Sequence, residues 1–457
     1  MTTTQSSSAK SRAEKIAYLK SITSVRDTTG KVFDKIKTDG QGNYYALNLD
    51  KMNDVVKFVC EEVIKKDYPQ GNYDDIPPHG RWQHLDCNGV QRVEKLISQW
   101  RKSGVDEIEI CRKLIDLFMF SVLIDAGAGN TWKYTETLSN STTMETGRSE
   151  GLAVASYYLF VNGDLSNDPQ SDPYKVNGAK LVSWDMQKHF LPGFQVSETN
   201  PLAGTEGRLN LIKRLGQALV SNKEIFGQDG RPGNLIDYLY KHKSPSSSSA
   251  KGNIIDLSLA WKALMDGLTS IWPAGRLTVD GESIGDAWSL DTITSEDGLS
   301  PGIVTFHKLT QWLCYSLLVP MEKYGYKFVI ENKSLQTGLP EYRNGGLFYD
   351  LEVITLKPDV FQRGMELTKK LNNNASVPYE IPTFTPEDGA IVEWRCLTIG
   401  LLDYLLPMVN EYLGYEMALP QLIEAGSWKG GRITAGSKRP LINGGPPIDL
   451  HSDGTVF

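Results

Sequence analysis

A chain of 457 residues is long enough for two or three domains, and 40% hydrophobic with 23% charged residues describes a globular protein that buries a real core. Lys and Arg number 48 against 55 Asp and Glu, a formal charge of −7. That balance argues against non-specific nucleic-acid binding, which rests on clustered cations, although it leaves room for a local basic pocket for one phosphate.

Residues 1–11 read as a disordered tail, polar and without the apolar region of a signal peptide. Ala13, Ile16, Ala17 and Leu19 then recur at helical spacing up to Ile22. Leu49–Lys66 reads as a helix capped by Asp50, with Val55, Val56, Val59, Val63 and Ile64 on one stripe. Val90–Trp100 and Asp106–Ala126 follow as two more helices, the second apolar enough to be buried, and Glu150–Asn162 as a short apolar one. Glu206–Leu219 and Leu235–Tyr240 have helical period, and the low-complexity run Ser244–Ser249 reads as an exposed loop. Ile255–Ile271 reads as a helix stopped at Trp272-Pro273. Phe306–Lys323 and Ala390–Val409 are the most apolar helical stretches. The β-prone runs Lys327–Ile330 and Asp350–Thr355 are too few for a doubly wound sheet.

No uninterrupted apolar run approaches the roughly 18–20 residues of a membrane helix. The five cysteines are scattered and odd in number, so no disulfide framework is expected; Cys111, Cys314 and Cys396 lie in apolar stretches and read as core. The expectation is a mainly α protein of the cytosol or nucleus, with a helical domain over residues 12–425 (one body or two lobes) and a Gly/Pro-rich coil over 426–457.

The common motifs are missing. There is no GxxxxGK[ST] loop and no GxSxG elbow, and Gly227–Gly230 and Gly444-Gly445 follow no clear strand. His79, His84, Asp86 and Cys87 lie within nine residues but match no standard zinc spacing, so a structural or substrate-contacting role is favoured over a metal. His451 has no partner nearby in sequence and reads as a surface residue.

Carboxylates are more informative. Asp125 ends a buried-looking helix just before Gly127 and Gly129, which let backbone approach a ligand closely; a solvated helix end explains it as simply. Glu341 lies in a turn between Pro340 and Gly345-Gly346, beside Tyr342 and Arg343. Glu393 and Arg395 interrupt an apolar helix, either paired internally or facing solvent at its start. His307, Lys308, Thr310 and Gln311 head another such helix, with Lys308 and Gln311 on one face. Polar clusters beside apolar elements suggest a shared polar pocket.

At these residues the sequence resembles a known family. Val122–Gly129 with Trp132-Lys-Tyr134, Arg148-Ser-Glu150 through Ser156, Phe306–Ser316, Thr337–Gly346, Val392–Arg395 and the closing Ser452–Phe457 resemble the fungal and bacterial uracil catabolism protein 4 family, from about residue 12 to the end. The resemblance implies a place in a pyrimidine-degradation route that passes through a ribosylurea intermediate. The order Phe306-x-Lys308-x-x-Gln311, Glu341-Tyr-Arg343, Glu393-x-Arg395 is also distantly similar to the queuosine salvage glycosidases, which resemble helical DNA glycosylases and cleave an N-glycosidic bond. One departure is Glu341, which stands where those enzymes have aspartate.

What the resemblance implies is an N-glycosidase that hydrolyses ribosylurea or its 5′-phosphate without a metal or cofactor. Its partner would be a small nucleoside or nucleotide derivative, not nucleic acid or membrane. A carboxylate, Glu341, would stabilise the sugar cation electrostatically or as a nucleophile. Glu393 or Asp125 would assist the leaving nitrogen or hold the ribose hydroxyls or the urea group, by analogy with paired-carboxylate glycosidases. Lys308, Arg343 and Arg395 are candidates for a 5′-phosphate or for pairing with Glu341 and Glu393. His307, Gln311 and Glu150 complete the expected substrate contacts, and Trp132, Tyr134 and Trp312 are candidates for stacking or core. A non-catalytic binding partner of another enzyme of the route is the alternative.

Overall fold

The computed structural model describes residues 12–125, 127–129, 131–245, 252–272, 276–294 and 301–451. The expected tail 1–11, Ala126, most of the serine run and the closing block 452–457 lie outside them. The elements that matter below are α1 (Ile22–Asp39), α2 (Arg81–Leu85), α3 (Glu107–Leu123), β1 (Lys133–Thr137), β2 (Thr143–Gly147), α4 (Arg148–Val161), α5 (Gly178–Val182), α6 (Thr205–Ser221), α7 (Leu257–Leu268), β3 (Ala287–Thr294), β4 (Pro301–Thr305), α8 (Lys308–Lys323), α9 (Tyr342–Asp350), α10 (Gly389–Leu413) and α11 (Trp428–Lys438). Among the described residues every sheet has only two strands. The fold is mainly α.

The chain forms two compact units, neither continuous in sequence. Of the described residues, one gathers 12–79, 276–308 and 334–451; the other gathers 80–272 and 309–333. Helix α8 begins in the first with Lys308 and continues in the second.

In the first unit the 25-residue α10 is the core, started by Asp388, whose carboxylate accepts from Ala390 N at 2.9 Å, and ended by Gly414 at φ +64°. Gly400 leaves room for the Phe33 ring of α1. Helix α9 packs against α10, where a side chain at Gly345 would meet Trp394 and Thr398, and against α11, where one at Gly431 would collide with the Arg343 carbonyl. Two expectations fail here. Residues 426–457 were expected as coil, yet Trp428–Lys438 is helical, because its glycines allow close backbone packing against α9. Helix α1 was not foreseen: its threonines are poor helix formers, but Thr28 Oγ1 accepts from Thr305 N at 3.0 Å and Ser24 Oγ lies 2.9 Å from Thr305 Oγ1, so tertiary contacts outweigh propensity.

The Leu49–Lys66 helix exists as successive 3-10, α and π turns, and its cap is Asn48 rather than Asp50.

In the second unit α3 is buried along its whole second half, with Asp106 as its cap, and ends at Leu123 rather than at Ala126. The small residues Ala153, Ala155 and Ser156 of α4 are buried, and Ser156 Oγ donates to Ser121 Oγ of α3 at 2.6 Å. Buried Asp116 accepts from Arg231 and from Gly233 N, both at 2.7 Å; burial pushes its pKa up to about 6 against these donors. Helices α5 and α6 touch through Gly178 and Gly216. The expected helix Ile255–Ile271 starts late, because Asn253–Asp256 is a strand parallel to Phe328–Glu331 and Asp256 then caps α7. The hairpin β1–β2 went unforeseen, since its Thr- and Glu-rich strands show little hydrophobic alternation, and so did the pair β3–β4 of the first unit.

Candidate functional site

In the first unit the turn Thr337–Gly346 delivers Glu341 to the N-terminus of α9. Its backbone is extended, and its two carboxylate oxygens accept from Arg343 N at 2.8 Å and Asn344 N at 2.6 Å. The turn is held from behind: Asn344 Nδ2 donates to Leu339 O at 3.1 Å, and Asn344 Oδ1 accepts from Ser427 Oγ at 2.7 Å. Glu341 keeps some solvent contact yet is densely surrounded, so burial raises its pKa, while the two amides and the charges of Lys308 and Arg343 oppose that rise. A carboxylate has about four acceptor positions; two serve the helix, and the rest remain for a ligand.

The Arg343 guanidinium lies 5.3 Å from the centre of the Trp428 ring and 5.1 Å from that of Tyr342. His79 packs on the same indole, ring centres 5.8 Å apart, with Nδ1 2.5 Å from a Glu424 oxygen. Trp428 lies in the segment expected as coil, so nothing in the sequence pointed to it.

The Glu393 block is built differently. One Glu393 oxygen accepts from Tyr44 N and Tyr45 N, both at 2.9 Å, and the other from Asn43 N at 3.0 Å and from Thr292 Oγ1. Gly42 is required there, since a Cβ would strike that carboxylate. Burial raises the pKa of Glu393 and the four donors oppose it. This carboxylate is an anchor for a loop, with its acceptor positions filled by protein.

Arg395 forms a two-pronged pair with Asp286 at 2.9 and 2.7 Å and lies 3.9 Å over the Phe306 ring; Glu341 and Glu393 are not its partners. Asp286 also accepts from Trp288 Nε1 at 2.7 Å and Lys308 N at 3.0 Å. Although burial opposes it, Arg395 holds the Asp286 carboxyl well below the usual range. His307, at φ +44°, sets Nε2 2.7 Å from Leu19 O, and burial lowers its pKa. Asp286 thus fixes the entry to α8 and the start of Lys308, and no motif marked it.

In the second unit Asp125 is the centre of another cluster. Its Oδ2 accepts from Arg81 Nη1 at 2.7 Å, Ser149 Oγ at 2.8 Å and Trp312 Nε1 at 3.2 Å. Ser149 Oγ is 2.9 Å from His84 Nδ1, and the His84 and Trp312 rings are 5.3 Å apart. Glu150 and Gln311 are buried in this unit. Trp132 donates to Phe194 O at 2.9 Å and packs on Gly151, so its indole serves the core; Tyr134 stacks on Tyr158 at 5.8 Å.

Asp86 is engaged by Val93 N and Trp82 Nε1, each at 2.9 Å, and no group of three or more metal-ligating side chains occurs among the described residues. No helix among them is long and apolar enough to cross a membrane. Cys111, Cys314 and Cys396 are buried.

The blocks that carry the family resemblance therefore have defined geometry. Residues 18–457 match the family described as protein of unknown function DUF1688. The chain belongs to that family. It is 62% identical over 446 residues to uracil catabolism protein 4 of Lachancea kluyveri, covering 97% of this chain and 99% of that protein. It is 42% identical over 449 residues to protein urg3 of Schizosaccharomyces pombe, with coverage of 97% and 99%. Both similarities cover nearly the whole chain and nearly the whole of each relative.

Proposed function

We propose that the protein acts in uracil catabolism and hydrolyses the N-glycosidic bond of ribosylurea, or of its 5′-phosphate, to urea and ribose or ribose phosphate. The printed name of the Lachancea relative supports the pathway, and the glycosidase-like order of blocks supports the reaction. The observation that carries the reading is Glu341. It is a partly enclosed carboxylate, fixed by two backbone amides, with acceptor positions to spare.

Cleavage breaks the bond between C1′ and the urea nitrogen, leaves cationic character on the ribose ring, passes a proton to the nitrogen and adds the hydroxyl of water to C1′. A fixed anion beside C1′ stabilises that charge without reorganising during the step. Glu341 serves this role better as an electrostatic partner than as a nucleophile, because both of its oxygens are already held by backbone amides. Lys308 and Arg343 supply cations whose fields reach Glu341, and a 5′-phosphate would be drawn to them. Glu393 is left out of the chemistry, since its lone pairs are spent on the loop 43–45 and Thr292.

A second reading has its own observation: both oxygens of Glu341 cap its own helix, which a purely structural residue would also do. Incubation of the purified protein with ribosylurea and its 5′-phosphate, with assay of released urea, separates the two. Urea release that falls at least about a hundredfold in Glu341→Gln supports the glycosidase. Absence of release by the unmodified protein, or undiminished release by the variant, rejects it in favour of a binding role.

A further inference from the structure

The Asp125 cluster of the second unit is not used by this reading, and its construction is that of a binding site. Helix α4 is 14 residues long and begins at Gly147, which has no side chain to cap it. The residue at the bend from β2, Arg148, has φ +56°, a conformation that costs a non-glycine residue energy and persists only where the surroundings impose it. Facing the first turn is Arg81, fully buried. Its Nε donates to Ser121 Oγ at 2.7 Å, its backbone N to Ser316 Oγ at 3.1 Å, and its Nη1 to Asp125 Oδ2 and, at 3.0 Å, to Ser149 Oγ. Its Nη2 has no hydrogen-bond partner among the described residues. A buried guanidinium N–H left unpaired on the same fork that faces a helix N-terminus asks for an acceptor oxygen.

The charge around it selects the kind of acceptor. Arg81 lies in the fields of Asp125 and of buried Glu150, and buried Arg208 in that of Asp125, so two cations already balance two carboxylates. A phosphate would add negative charge to that balance, whereas a neutral carbonyl would not. Asp125 and Ser149 remain partly open to solvent, and the exit at Gly127 and Gly129 is exposed, so the cluster is reachable. Both side chains can accept from N–H groups next to such a carbonyl.

We propose that Arg81, Asp125, Ser149 and the first turn of α4 form a site for a small neutral compound presenting a carbonyl oxygen flanked by N–H groups, the pattern shared by urea and the edge of uracil. The site does not depend on Glu341 acting as proposed above. Its test is calorimetric titration of the full chain with urea, uracil and inorganic phosphate, with the fluorescence of Trp312, bonded to Asp125, as a second signal. Urea or uracil should bind and phosphate should not. Ser149→Ala and Arg81→Lys should each weaken binding tenfold or more, and Glu341→Gln should leave it within twofold. Binding of phosphate alone, no binding of either neutral probe, or loss of binding through Glu341→Gln but not Ser149→Ala overturns the proposal. Arg81 is buried, so if Arg81→Lys loses its cooperative thermal transition, the folded Ser149→Ala variant decides.

Discussion

At Glu341 two duties coincide, helix cap and candidate charge stabiliser, and they can be separated by experiment. Glu341→Gln removes the charge and weakens the cap, so a loss of about 0.5–2 kcal/mol in urea unfolding should accompany the much larger loss of urea release. The pH dependence carries a definite sign. Burial raises the folded-state pKa above the unfolded value of about 4.3. Between the two values the folded protein binds more protons, so this contribution is full at low pH and is lost as pH rises through the folded pKa. The melting temperature of Glu341→Gln should lack that component, which a thermal series upward from about pH 4 measures. Activity that needs the anion should show its acidic limb above the ordinary glutamate range. Asp286 has the opposite sign: held low by Arg395, it contributes stability above about pH 4 that is lost as pH falls. Asp286→Asn strips a buried guanidinium of its two-pronged partner, and an unfolding titration should show a loss of about 3–5 kcal/mol.

At the scale of elements the candidate site depends on how closely three helices approach. Helix α9 lies against α10 and α11 through Gly345 and Gly431, and Gly431 faces the carbonyl of Arg343 itself. Gly431→Ala should cost about 1–3 kcal/mol by overpacking and should also lower turnover, because the backbone it displaces carries the amides that hold Glu341. A variant that loses stability with turnover per folded molecule unchanged would show that α11 only supports the fold. How legible these elements were follows from local physics. Buried helices such as α3, α8 and α10 announce themselves by long apolar runs, and their ends were read to within a few residues. Helix α1 and the two hairpins did not, because Thr28 finds its partner in Thr305, far along the chain, and the threonine-bearing strands are extended only by pairing with each other.

For the whole molecule the decisive feature is that each unit is assembled from separated segments. The second unit draws on residues 309–333: Ser316 accepts from Arg81 N, Trp312 donates to Asp125, and Phe328–Glu331 pairs with Asn253–Asp256. A fragment of residues 80–274 expressed alone should therefore lack fixed tertiary structure by near-ultraviolet circular dichroism. Recovery of native signal without residues 309–333 would contradict this assembly.

The sequence by itself determined the mainly α class, most of the helices and the buried cysteines, and it singled out the turn Thr337–Gly346, because apolar periodicity and glycine-bounded turns are local signals. It could not assign partners. Only the tertiary structure decided that Glu393 anchors the loop 43–45, that Arg395 pairs with Asp286, and that Asp125 belongs with Arg81 and Ser149. The physical reason is that a charge in an apolar segment must find its counter-charge or hydrogen-bond donors, and the chain brings these from tens to hundreds of residues away, a distance that no spacing within a motif encodes.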